Sequence, residues 1–271
     1  MKPTVAIPLG KRTSVALALV SLLGLAAFAW PLLAEPGSGS VAHADDAPLL
    51  IALILPLVLA TMTLAISERG IDAKALAMLG VLAAIGAALR PFGPAAAGIE
   101  PIWIVIILGG RALGATFGFL LGMTTLFVSG LITGGVGPWL PFQMMAAAWV
   151  GLGAGLLPKT SRHRFELLVL VPYTFFAALL FGFLMNLWQW PWTPGLGETL
   201  SYVAGDTLNN NIVRWLRFSI TTSLAWDLSR ALSTTVFIII ASRPILAALR
   251  RGARRARFSP PVTFAGQPES K

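Results

Sequence analysis

The feature that most limits how this chain can fold is a succession of apolar stretches, each about as long as a bilayer is thick and nearly free of charge. A spanning helix needs about 20 mostly apolar residues, and candidates lie at 13–34, 49–66, 74–90, 101–133, 142–157, 165–189 and 219–242. Stretch 101–133 is too long for one helix, since at about 1.5 Å per residue it would run near 50 Å. It also carries Arg111 and a turn-like Gly110-Arg111 break. It is therefore read as two short helices, 101–110 and 114–133, turning at Arg111, which makes eight hydrophobic segments.

Composition enters here as an exclusion. Only 11% of the 271 residues are charged, against roughly 25% in a soluble domain. An ordinary soluble enzyme, a disordered chain and a collagen-like fibre are excluded. The absence of cysteine removes disulfide frameworks, thiolate metal sites and cysteine nucleophiles. The two histidines, His43 and His163, do not make a multi-histidine metal centre. No metal and no cofactor is expected. The fold class predicted is all-α and polytopic.

The placement of the net charge of +9 sets the orientation. With the N-terminus inside and sides alternating at every segment, all Lys and Arg except Arg90, Arg214, Arg217 and Arg230 fall inside. A single span at 101–133 would put the Pro158–Arg164 loop outside, against the positive-inside rule. Both termini are accordingly predicted to be cytoplasmic. Residues 11–44 also have the form of a signal peptide, ending in Ala42-His43-Ala44 before Asp45-Asp46. Either reading leaves residue 45 outside.

Several features are candidates for function. Trp30, Trp103, Trp139, Trp188, Trp190, Trp192, Trp215 and Trp226 all fall on the outer side, with Trp149 mid-helix. An interfacial belt would normally have two rows, so an aromatic pocket stands beside the belt reading, with Asn186 to Trp192 as one wall. Asp227 and Arg230, spaced to pair on one helix face, are either a structural ion pair or a ligand contact. Glu100, Gln143 and Asn186 share the outer side with Arg90, and for these three a cap, a buried hydrogen bond or solvent contact is the plainer role. Gly110, Gly114, Gly118 and Gly122 form one small-residue stripe, and Ala147, Gly151 and Gly155 another, both suited to close helix packing. A third, Ala73, Ala77, Gly80 and Ala84, suits either internal packing or a partner subunit. The Gly134–Pro141 connector is turn chemistry that also carries Trp139. The arginine-rich run from Arg250 to Arg257 reads as an anchor on anionic lipid. Nucleic acid is not an expected partner, because no folded reader accompanies the run. No phosphate loop, H-E-x-x-H or G-x-S-x-G motif occurs, so the chain cannot drive itself with ATP.

Three runs together resemble a known family. Gly109-Gly110-Arg111 through Gly122, Gly134-Gly135-Val136-Gly137-Pro138-Trp139-Leu140-Pro141-Phe142-Gln143-Met144, and Gly151 through Leu157 look like the S component of energy-coupling-factor (ECF) vitamin transporters. The Gly-Pro-Trp-x-Pro-Phe-Gln-Met run is the most specific of them. The resemblance covers residues 73–250 and implies a six-helix core over 68–250, preceded by an extension at 1–67 with two extra segments and followed by a basic tail at 251–271. It implies a non-enzymatic subunit in a prokaryotic plasma membrane that captures a vitamin from outside. A transmembrane T subunit and two ATPase A subunits would then drive its release inside. The loop from Pro91 to Glu100 would be the gate, and the Ala73, Ala77, Gly80 and Ala84 face would meet the T subunit. The substrate-binding set is Arg90, Glu100, Trp103, Trp139, Gln143, Asn186, Trp188, Trp190, Trp226, Asp227 and Arg230. The segment Thr222–Ala231 resembles S components associated with cobalamin, with riboflavin, thiamine and other heterocycles left open. The competing readings are an intramembrane lipid-modifying enzyme and an accessory membrane subunit without a ligand.

Overall fold

A computed structural model describes residues 10–33, 56, 60, 63, 73–92, 98–160 and 162–256. Eight helices are named in chain order: α1 (Lys11–Leu33), α2 (Ala73–Leu89), α3 (Ile102–Leu113), α4 (Ala115–Thr133), α5 (Leu140–Leu156), α6 (His163–Gln189), α7 (Leu208–Phe218) and α8 (Leu224–Ala256). No strand occurs among the described residues. Five helical runs are long and apolar enough to cross a membrane: Lys11–Leu33, Ala73–Phe92, Ala115–Thr133, His163–Trp192 and Leu208–Arg255. Helices α3 and α5 are shorter but also apolar. Large apolar side chains such as Leu168, Phe176 and Ile240 stand exposed on the outer helix faces, as hydrocarbon contact requires. The described residues have the architecture of an all-helical, multi-pass membrane protein.

The short helix α3 is the hub. It is buried along most of its length and packs against α2, α4, α5 and α8. The closest packing joins α4 and α5, where the two glycine stripes of the sequence meet. A methyl group on Gly118 would overlap the carbonyl of Gly151, and one on Gly151 would overlap that of Gly118. Gly110 on α3 meets the same Gly151 carbonyl, so three backbones converge where no side chain fits. Dispersion between backbones in contact supplies the attraction that hydrophobicity cannot supply between helices in lipid.

The break within 101–133 falls at Gly114 rather than at Arg111. Gly114 sits at φ 107°, a left-handed conformation that a Cβ would strain, and its N–H closes α3 on the Gly110 carbonyl. Arg111 stays in the last turn of α3 because its guanidinium is fully used. It donates to Glu166 Oε1 at 3.0 Å and to the carbonyls of Leu157 and Pro158 at 2.9 and 2.8 Å. Arg250 donates to the same carboxylate from α8, its Nη1 lying 3.0 Å from Oε2. This buried Arg111–Glu166–Arg250 cluster ties α3, α6 and α8 together at one end of the bundle, and Glu166 had not stood out in the sequence.

Helix α7 is a second departure from the sequence reading, which left 208–218 as a connection. Thr207 caps it by accepting from the Asn210 N–H. A π-helical turn at Ser219–Ser223 then joins α7 to α8. Helix α8 runs on through Ala256, so residues 251–256 continue the last helix.

Of the two extra segments, α1 packs on α5 and α6. Trp149 donates to Ser21 Oγ at 3.0 Å, and the Phe28 ring meets that of Phe142 edge-on at 5.0 Å. Segment 49–66 lies outside the described residues apart from Pro56, Ala60 and Thr63, which are helical. Ala42-His43-Ala44, residues 93–97 of the expected gate and the tail from Arg257 also lie outside them.

Candidate functional site

At the end of the bundle away from Glu166, the helices part around a cavity of about 700 Å³. Its wall is assembled from six places in the chain, one of them Leu126 on α4. Arg90 comes from the turn after α2, Glu100 and Trp103 from the start of α3, Trp139 and Gln143 from the start of α5, Trp188 from the end of α6, and Trp226 and Arg230 from the start of α8.

Each helix end delivers its residue for a local reason. Pro141 near the N-terminus of α5 starts that helix, placing Trp139 at its cap and Gln143 in its first turn. The Trp139 indole donates to the Gly135 carbonyl at 3.2 Å and meets Trp188 edge-on at 6.3 Å. At the opposite wall Trp103 is buried, donates to Glu100 Oε2 at 2.7 Å and packs on Phe181 with ring centroids 4.4 Å apart.

The charges form two groups. Arg230 donates to Asp227 Oδ1 at 2.7 Å and to Glu100 Oε1 at 3.1 Å, and its guanidinium lies 5.3 Å from the centre of the Phe181 ring. One cation therefore holds two carboxylates. Arg90 instead donates Nη2 to the neutral Gln143 Oε1 at 2.7 Å, and its buried Nη1 has no hydrogen-bond partner. Two guanidiniums and a carboxylate beside several indoles offer hydrogen bonding and stacking, with no activated nucleophile among them. Among the described residues no group of three His, Asp or Glu stands ready to hold a metal.

Against protein-family models, curated proteins and solved structures, the chain matches none.

Eight of the eleven residues singled out from sequence therefore line one cavity: Arg90, Glu100, Trp103, Trp139, Gln143, Trp188, Trp226 and Arg230. Three do not. Asp227 is buried behind Arg230, which it orients. Asn186 is buried on α6, where its Oδ1 accepts from Ser223 Oγ at 3.0 Å. Trp190 is fully buried outside the wall, donating to the Leu200 carbonyl at 2.6 Å and packing against Tyr202. Trp188 and Trp190 stand two positions apart at the end of α6, where helical geometry puts them on opposite faces. Phe181 and Met185 also line the cavity and had been missed. Their spacing from Trp188, at i, i+4 and i+7, was the available signal.

The third stripe behaves differently from the two glycine stripes. Ala73, Ala77, Gly80 and Ala84 are all exposed along one side of α2, and no atom lies within 4 Å of where a Gly80 methyl would stand. Internal packing uses the opposite side, through Ala75, Leu79, Ala83 and Ala87.

Proposed function

We propose that this chain is the substrate-binding S component of an ECF-type importer, taking a vitamin into the tryptophan-walled cavity for delivery by T and A partner subunits. One observation carries the reading. The segment that most resembles the family, Gly137 to Met144, contributes Trp139 and Gln143 to the same wall as Arg90, Trp188 and Arg230. A cavity of about 700 Å³ is within the roughly 300–1,000 Å³ typical of small-molecule sites. The charge asymmetry along the chain supports an arrangement in which this end faces outside and the Arg111–Glu166–Arg250 end faces the cytoplasm. Cobalamin heads the candidates through the segment Thr222–Ala231, which supplies Trp226 and Arg230 to the wall.

The test is mass spectrometry of small molecules released from the purified chain after growth with a vitamin mixture. A stoichiometric corrinoid is the expected result. Another vitamin would retain the importer and discard cobalamin. Direct titration of an empty preparation that still gave no binding would discard the ligand-binding function.

A further inference from the structure

Around Arg90 the cavity wall has spare hydrogen-bond donors, while the nearest side-chain acceptors are already engaged. The carboxylate of Glu100 is used on both oxygens, by Arg230 and by Trp103. Gln143 Oε1 is used by Arg90. Against this, Arg90 Nη1 and the Trp192 indole N–H, both on lining residues, are buried and reach no acceptor in the protein.

The pairing of the charges, though not their sum, points the same way. Two cations face two carboxylates here and Glu100 also acts on Arg90 through space, but both carboxylates hydrogen-bond Arg230 and none forms an ion pair with Arg90 among the described residues. Leaving a buried guanidinium donor unpaired costs more than a neutral donor would. An occupant of the cavity that carries an acceptor would satisfy this donor directly. Helix α2 ends at Leu89, and the following turn carries Arg90 to the cavity. Gln143 then fixes one edge of the guanidinium and leaves the other edge for the occupant.

We infer that the cavity selects an aromatic heterocycle bearing an anionic oxygen group, carboxylate or phosphate, that sits on Arg90 while the ring stacks among Trp139, Trp188 and Trp226. The inference rests on the ligand-binding reading above and narrows it to a chemical class. A guanidinium pairs with either group by charge-assisted hydrogen bonds, so the shared chemistry is the anionic oxygen.

The experiment titrates the purified full-length chain with matched pairs that differ at the anionic group. The pairs are nicotinate and nicotinamide, flavin mononucleotide and riboflavin, and thiamine monophosphate and thiamine. The first pair tests carboxylate and the others test phosphate. In at least one pair the member bearing the anionic group is expected to bind about tenfold or more tightly than the partner lacking it. In Arg90→Gln that preference should collapse to within about threefold; Arg90→Lys should retain part of it. Should Arg90→Gln fail to fold, the wild-type preference and Arg90→Lys decide. Equal binding within every pair, or a preference that survives Arg90→Gln, overturns the inference and leaves the importer reading standing. No binding by any member overturns the inference, while the importer reading is decided by mass spectrometry of the released molecules.

Discussion

Gly182 on α6 lies directly against the carboxylate of Asp227 on α8, so that a methyl group on Gly182 would occupy the place of the Asp227 side chain. That carboxylate in turn holds Arg230 at 2.7 Å. A residue without a side chain on one helix thus sets the position of a cation in the cavity wall. Gly182→Ala should push Asp227 off Arg230 and lower the unfolding temperature in detergent. Overpacking alone costs about 1–3 kcal/mol, and loss of one ion-pair partner adds to it. An unchanged midpoint would show that Asp227 has another place to go.

The cluster at the far end ranks its own variants. Glu166→Gln leaves Arg111 and Arg250 without a counter-charge, and breaking a buried pair typically costs about 3–5 kcal/mol. Arg250→Met should cost much less, because the Arg250 side chain is 35% exposed and Glu166 keeps Arg111. Thermal unfolding of both variants gives the order, and a more damaging Arg250→Met would contradict the assignment of Glu166 as the centre.

Two tryptophans two positions apart should give opposite phenotypes. Trp190 is fully buried outside the cavity, so Trp190→Ala should lose stability by about 3–5 kcal/mol. Trp188 lines the cavity, so Trp188→Ala should fold and bind the ligand about two- to twelvefold more weakly, from an aromatic contact of roughly 0.5–1.5 kcal/mol. Calorimetric titration beside thermal unfolding separates the effects; equal loss of stability in both would merge the two roles.

The exposed side of α2 bears on the proposed partner. Ala77→Leu should leave the fold and ligand binding intact, since Ala77 faces away from the bundle, while reducing co-purification with a T subunit. Full recovery of the complex would move that interface elsewhere.

Asp206, in the loop before α7, has its carboxyl held below the ordinary range by hydrogen bonds from Asn210 and Arg214 and by the Thr207 N–H. A depressed folded value means that its contribution is present above the unfolded value of about 3.9 and is lost as the pH falls through the folded value. The difference in unfolding midpoint between wild type and Asp206→Asn should therefore be open at pH 6 and close as the solution is acidified below about pH 4. A gap of constant width would mean that Asp206 does not titrate in this range.

The apolar lengths and the charge spacing were enough to reveal an all-helical membrane chain, because lipid leaves the backbone few alternatives and makes every charge conspicuous. The glycine stripes were legible for the same reason, since a four-residue repeat of missing side chains has few uses other than close packing. Eight cavity residues could be named because helix ends gather polar and aromatic groups by themselves. Which of them face one another could not be read. Trp188 and Trp190 had to face opposite ways on a helix, but which of the two meets the cavity depends on how α6 packs. Arg111 resembled a turn residue until Glu166, 55 positions away, came to lie beside it. Helix α7 was missed because its polar residues carry no membrane signal. Periodicity and charge act through the local chain and its solvent, so the sequence determined them alone. Ion pairs, ring contacts and the single unpaired edge of Arg90 depend on which helices become neighbours, and that was decided by the fold.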